Sequence, residues 1–576
     1  MPQLAALSSS LGRRLRGGRG RLVPGVALTG LLVLALLALV GVYPVLRLGQ
    51  TALQRLDGAW TLEYLGEVVS APGLADAVVN SLVVAVVVTV GATLLGSVLA
   101  WLVARTDVWG RRKLRWALLT PFVIPPFVGA ISWLHLFGSA GWFNQLARAA
   151  GLTDGTLWNV RGFDGIVFVL ILTSYPLAYI TVLGALNRLD PSMEEGARVS
   201  GAGLLRILRD VTIPVMRPAI ASGAVLVFIY AMANFGVPAV LGFTENYYVL
   251  TTRIYDLIAQ SARPGSLNQA AALSMLLGAI ALVALTLQGI GARRTESRLG
   301  QRSTPDVPLR LGRRKAMPSL LAWATVAVAG VLPVGAIVLG GLTDVLGRPP
   351  LPGNLTVENF VRAVVASPAT LRAIRNSFTL ALLAGLIVAV LGAVIGYLVR
   401  RTRLPGRSAL DGLATFPYAL PGTVVAAAVL LGFIRPLAGV ALFNTLWIIL
   451  VAYLAHYLAY GVRTTSGALA LMDTSLEEAS RACGASRVTT FWRIVVPMLR
   501  PALFGGFFLV FIPTMRELTI SVLLWSPGNE TLGVVVFSLQ EAGETQAAAA
   551  VAMLMIATVG LMNVITRRLS GGRLGY

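Results

Sequence analysis

The chain has 576 residues, 56% of them hydrophobic and only 12% charged, and its mean hydropathy is +0.77. Soluble globular proteins carry about 25% charged residues, so this composition belongs to a polytopic membrane protein. The formal net charge of +22 would suit a nucleic-acid binder, but the arginines stand in short clusters between apolar runs; that pattern marks basic residues held on the cytoplasmic side of spans and excludes nucleic acid as a partner.

A bilayer core about 30 Å thick is crossed by about 20 apolar residues at 1.5 Å each. The basic stretch RRLRGGRGR precedes an apolar run from Leu22 to Leu46 that is too long for the core of a signal peptide, and it predicts a first span with the N-terminus inside. Further runs follow in the first half near residues 77–103, 116–138, 165–186, 219–243 and 268–291, and in the second near 317–342, 376–399, 413–434, 440–462, 502–525 and 547–566. About twelve transmembrane helices are expected. Arg105, Arg111, Arg112, Lys113 and Arg115 share one loop, Arg188, Arg198, Arg206, Arg209 and Arg217 a second, and Arg293 through Lys315 a third. Retention of these on the inner face predicts a multi-pass protein with both termini cytoplasmic. The lone cysteine, Cys483, rules out an intramolecular disulfide and reads as a small buried thiol.

The polar stretch from Glu296 to Lys315 divides the chain into residues 1–292 and 317–576, with a cytoplasmic linker over 293–316. The halves repeat. Asn80 matches Asn376, Arg105-Thr106 matches Arg401-Thr402, Gly110 matches Gly406, and Pro121 and Pro125 match Pro417 and Pro421, all 296 residues apart. Later matches are 283 apart, which places 13 extra residues in the first half, between Ser139 and Asp164. Both copies start inside and span six times, so the fold class is all-α, with two parallel-repeat six-helix halves of the kind transporters are built from.

One short polar loop is written twice. LDPSMEEGARVSGAGLLRILRDVTIPVMRPAI and MDTSLEEASRACGASRVTTFWRIVVPMLRPAL agree at Asp190 and Asp473, Glu195 and Glu478, Gly201 and Gly484, and Pro214 and Pro497. Asp190 and Ser192, or Asp473 and Ser475, can cap a short helix whose first turn carries Glu194-Glu195 or Glu477-Glu478 at the positive end of its dipole. Gly201 and Gly484 permit a left-handed turn or a close approach, and Pro214 and Pro497 suit the start of a further helix. The result is a helix-turn-helix elbow in each half.

These loops resemble the E-A-A-x-x-x-G-x9-I-x-L-P signature of bacterial ABC-importer permeases, over cores of about 75–291 and 371–566. Glu195-Gly196-Ala197 with Gly201, and Glu478-Ala479-Ser480 with Gly484, carry the match; Gly196 and Ser480 depart from alanine, small residue for small residue. The resemblance implies the type I importer fold and a docking role for Glu194, Glu195, Gly196, Ala197, Gly201, Glu477, Glu478, Ala479, Ser480 and Gly484 on an ABC ATP-binding subunit, in two copies. It also implies a periplasmic or lipid-anchored substrate-binding protein, membrane lipid around the spans, and residence in the bacterial inner membrane.

No P-loop can be built, because the only lysines, Lys113 and Lys315, each follow an arginine. The chain is therefore not itself an enzyme; it is expected to bind no cofactor, with ATP and Mg on the partner. His135 and His456 are solitary in apolar runs, and no metal-ligand set is visible. Arg516 and Glu517 fall inside the predicted eleventh span, opposite Ala233 and Asn234 in the repeat. Charge at that depth marks a bundle interior or water-filled path, so Asn234, Arg516 and Glu517 are candidate pathway or gate residues. The fused halves and the segments around Asn234 and Glu517 look most like ferric-iron importers; thiamine, polyamine and phosphonate permeases share the architecture, and an ATP-independent secondary transporter is the alternative class.

Overall fold

The computed structural model describes residues 24–298, 309–345 and 347–569; the basic N-terminal stretch and the middle of the linker lie outside the described residues. Ten helices there are long and apolar enough to cross a membrane. They are α1 (Gly25–Ala52), α2 (Leu74–Arg105), α3 (Phe163–Leu186), α4 (Leu204–Ala233) and α5 (Ser266–Gly289) in the first half. The second half has α6 (Gly312–Gly341), α7 (Pro368–Arg401), α8 (Leu446–Leu471), α9 (Arg487–Met515) and α10 (Thr545–Thr566). Among the described residues the only strand-like pairings are isolated bridges.

The third run in each half is bent. Arg111–Phe122 and Pro126–Ala149 meet at 93°, and Arg407–Ala419 and Gly422–Phe433 at 109°, which brings the count to twelve if each pair is one span. Pro125 and Pro421 stand at the bends with extended ψ of 136° and 146°. A proline has no N–H to give and excludes a helical residue before it, so the chain turns there. The extra residues of the first half lie after this bend, where 25 residues separate Phe137 from Phe163 and only 12 separate Phe433 from Leu446. They include the short helix Trp142–Ala149.

Other prolines are absorbed inside helices. Pro44, Pro214, Pro333 and Pro497 each follow a five-residue π turn by two positions, at Ala38–Val42, Leu208–Thr212, Ala327–Val331 and Phe491–Val495. The widened turn relieves the clash a proline makes with the preceding carbonyl. Pro214 and Pro497 are thus the second residues of the α-helical stretches Ile213–Ala233 and Val496–Met515, as suits a helix start, and the π turn joins each stretch to the earlier part of α4 or α9.

The halves are built on close crossings of α2 with α3 and of α7 with α8. A Cβ on Gly392 would stand 2.5 Å from the carbonyl carbon of Gly461, and one on the matching Gly96 would stand 2.6 Å from the carbonyl oxygen of Tyr175. Small residues let backbones meet where lipid supplies no hydrophobic drive of its own. Each half also lends its first helix to the other. On α1 the Tyr43 hydroxyl donates to the Gly432 carbonyl at 3.0 Å, and on α6 the Trp323 indole donates to the Trp109 carbonyl at 3.0 Å.

The end of the linker is sewn to the first loop. Leu309 donates its N–H to the Arg105 carbonyl at 2.8 Å, and Asp107 donates its N–H to the Leu309 carbonyl at 3.2 Å. The Asp107 carboxylate accepts from the Leu311 N–H at 3.0 Å and pairs with Lys315 at 3.2 Å. The Leu311 N–H, with Lys315 beside it, holds Asp107 below the usual carboxylate range. A depressed carboxylate stabilises the fold above its unfolded pKa, and that contribution is lost as pH falls through the folded value. Asp107→Asn is expected to lower the Tm by a few degrees at neutral pH and to flatten its fall in acid. Melting curves of both proteins across that pH range check this; parallel curves would remove Asp107 from the seam's stability.

Candidate coupling elbows and helix breaks

Both elbows form as short helices, Pro191–Val199 and Ser475–Ala482. Asp190 Oδ1 accepts the Ser192 N–H and Asp473 Oδ1 the Ser475 N–H, each at 3.0 Å. At the other end Gly201 and Gly484 take φ of 82° and 85°, with open space where a side chain would begin. Left-handed backbone, not close approach, is what glycine supplies there. The Ala202 N–H reaches back to Ala197 and the Ala485 N–H to Ser480, closing the C-terminal turn in both copies.

The paired glutamates divide. Glu194 and Glu477 are buried, at 8% and 4% exposure, while Glu195 and Glu478 are exposed. Arg105 at the end of α2 pairs with Glu194 at 3.4 Å, and Arg401 at the end of α7 pairs with Glu477 at 3.3 Å. The same arginines donate to the Leu189 carbonyl at 3.1 Å and to the matching Met472 carbonyl at 2.6 Å. Thr212 donates to Glu194 at 2.8 Å, and Tyr397 donates to Glu477 at 3.3 Å. Each elbow is thus tied by a nearly dry, charge-assisted contact to the helix that begins its own bundle core. The arginines were visible in the sequence as a matched pair, but there they carry only a topological charge; no sequence signal says which glutamate turns to meet them.

What faces outward is matched too. Gly196, Gly201, Ala479 and Gly484 are exposed, and Ala197 and Ser480 half-buried. Met193 and Leu205 in the first copy, and the equivalent Leu476 and Val488 in the second, are exposed apolar side chains. Cys483 is also exposed, contrary to the buried thiol the sequence suggests. It follows the last residue of the elbow helix, outside any packed bundle.

The candidate pathway residues sit where two helices stop. α4 ends at Ala233 and α9 at Met515, in the middle of the predicted fifth and eleventh runs. Asn234 Oδ1 accepts the Val237 N–H at 3.0 Å and caps the short helix Gly236–Gly242. Glu517 does the same for Ser521–Leu524, accepting the Ile520 N–H at 2.6 Å, the Ser521 N–H at 3.0 Å and the Tyr453 hydroxyl at 3.2 Å. The repeat thus places a side-chain acceptor for the first N–H groups of a short helix at each break, asparagine in one half and glutamate in the other. Arg516 crosses between the halves and donates to the Phe122 carbonyl at the first bend. Phe235 of the first half packs edge-on against Phe537 of the second at 5.7 Å. Arg516 thus bridges the halves directly, and the residues following Asn234 pack on the other half, Phe235 on Phe537 and Gly236 near Leu518, while the Glu517 carboxylate is engaged within its own half. Among the described residues no three His, Cys, Asp or Glu side chains converge as a metal-binding set.

Two related bundles, each with a broken helix at the shared face and an anchored elbow at one end, define a membrane transport permease with both halves on one chain. The profile of the binding-protein-dependent transport system inner membrane component matches residues 92–297 and 381–571, and the chain belongs to that family. It is 27% identical to the ferric transport system permease protein FbpB of Actinobacillus pleuropneumoniae over 447 residues, 76% of this chain but 63% of that protein, so it spans less than two thirds of that relative's length. It is 25% identical to Fe(3+)-transport system permease protein FbpB 2 of Haemophilus influenzae, over 86% of this chain and 90% of that one. A shorter match, 31% over 39% of this chain, is to the molybdenum transport system permease protein ModB of Mycobacterium tuberculosis, 81% of which is covered.

Proposed function

We propose that this chain is the translocation subunit of an ATP-driven importer of ferric iron in the bacterial inner membrane, with its elbows and termini in the cytoplasm. The observation that carries the coupling role is the matched pair of elbows, each bolted inward through Glu194–Arg105 or Glu477–Arg401 and each presenting apolar side chains outward. Two copies of an ATP-binding subunit, holding ATP and Mg, dock one on each elbow. Their closure draws the elbows together, and because each elbow is tied to its bundle the halves rotate as bodies. The breaks at Asn234 and at Arg516-Glu517 are the gate that this rotation opens, since short capped helices can swing where a continuous helix cannot. A periplasmic or lipid-anchored binding protein delivers the substrate.

What supports iron is the relative covered over 90% of its length, which is named for Fe(3+) transport, and the molybdenum named for the shorter relative is the competing cargo. Uptake of radiolabelled ferric iron, molybdate, thiamine and polyamine in cells with and without the gene tests the cargo. Iron uptake is expected to fall at least about tenfold on deletion. Loss of molybdate uptake alone would sink the iron assignment. Transport that persists without a co-purifying ATPase would instead favour a secondary transporter.

A further inference from the structure

The seam between the first loop and the start of α6 concentrates cations and exposed aromatics on one surface. Arg112 and Lys113 on the helix Arg111–Ala117, and Arg310, Arg313 and Arg314 beside it, are exposed. Trp109 and Trp116 are 53% and 54% exposed. The two segments are locked together by the Lys315–Asp107 pair at 3.2 Å, by Trp109 N–H on the Ser319 hydroxyl at 3.0 Å, and by Gly110 lying against the Trp323 ring. Asp107 is the one acid within residues 105–117 and 309–323. Its charge is already met by Lys315, so the exposed Arg112, Lys113, Arg310, Arg313 and Arg314 have no other acid within these segments to meet them.

The surface also changes character over about two helical turns. Beyond Arg313 and Arg314, α6 exposes Met317 and Leu320, at 83% and 69%. Cations beside exposed tryptophans and aliphatics is the mixture that suits a bilayer's head-group and interfacial layers. A general inward bias of arginine does not explain the placement, because the repeat lacks it. At the corresponding positions the second half has Pro405 for Trp109, Ser408 for Arg112, Ala409 for Lys113 and Gly412 for Trp116.

We propose that this seam is a binding site for one anionic phospholipid, its phosphate held by Arg112, Lys113 and Arg313 and its acyl chains lying along Met317 and Leu320. Guanidinium and ammonium groups hydrogen-bond a phosphodiester directly, and a zwitterionic lipid brings an ammonium that these cations repel. The bound lipid would brace the join that carries the linker past Arg105, and so the first elbow alone. The assignment is independent of the cargo.

Native mass spectrometry of the full chain, purified from bilayers of phosphatidylglycerol and phosphatidylethanolamine, tests it. The wild type is expected to retain one more phosphatidylglycerol than Arg112→Gln/Lys113→Gln/Arg313→Gln, while Arg400→Gln/Arg403→Gln/Arg407→Gln, the same charge removed from the second half, keeps it. Phosphatidylethanolamine counts stay equal in all three. Equal phosphatidylglycerol loss in both variants would overturn the site, as would release of the lipid by millimolar inorganic phosphate. A measurement on the unaltered basic cluster guards against misfolding: tryptophan emission should be quenched more by brominated phosphatidylglycerol than by brominated phosphatidylcholine, and Trp109→Phe should reduce that difference. No difference between the two lipids would likewise overturn the proposal.

Discussion

Gly392→Leu is expected to abolish recovery of monodisperse protein, with the chain eluting as aggregate in detergent. At Gly392 the nearest atoms across the α7–α8 crossing are the backbone carbon, carbonyl oxygen and Cα of Gly461. Backbone cannot rotate aside as a side chain can, so α7 and α8 must separate, and that crossing is the frame on which α9 also packs. Overpacking a core costs about 1–3 kcal/mol where side chains can adjust. Here the cost should reach or exceed the upper end. Gly467→Leu, on the same helix α8 with nothing within 4 Å of its Cβ position, is the control and should leave the elution profile and Tm unchanged. Size-exclusion profiles and melting temperatures of the two variants decide the matter; a stable Gly392→Leu protein would mean the crossing is looser than its atoms indicate.

The repeat made much of this legible. Residues 296 and 283 positions apart in the sequence turn out to occupy equivalent places: Asn80 donates to the Tyr248 carbonyl, and Asn376 to those of Gly528 and Glu530. Capping residues and a glycine forecast both elbows, because those signals are local in sequence. Long-range consequences were hidden. Hydropathy cannot distinguish a straight span from two helices meeting at 93° or 109°, and it cannot reveal that α1 packs on the opposite half. Arg516-Glu517 read as charge buried within a span because nothing local shows that α9 stops at Met515, where Glu517 becomes a cap. In the elbows, adjacent glutamates lie about 100° apart on a helix, so one must turn inward. Only the position of Arg105 or Arg401 decides that it is the first.

That division yields the second large effect. Glu194→Gln/Glu477→Gln is expected to leave a folded permease that binds its ATPase yet loses at least about tenfold in transport-coupled hydrolysis, the equivalent of about 1.4 kcal/mol. The arginine side chains are 11% and 12% exposed, so each substitution strands a cation that has little water to replace its partner. Removing one member of such a buried pair costs about 3–5 kcal/mol locally. That cost falls on the join between elbow and bundle, because Arg105 closes α2 and Arg401 closes α7. On the proposed coupling role, an elbow that slips against its helix should still meet the partner but no longer turn the half behind it. Glu195→Gln/Glu478→Gln removes the same charge from the exposed side and should change coupling by less than about twofold, as exposed charges contribute at most about 1 kcal/mol. Arg105→Glu/Glu194→Arg, which restores the pair in reverse, should recover more activity than either single change, and a double-mutant cycle measures that interaction. A larger loss from the exposed pair than from the buried one would show that force enters through direct charge contact, with the inward anchors serving only to fold the loop.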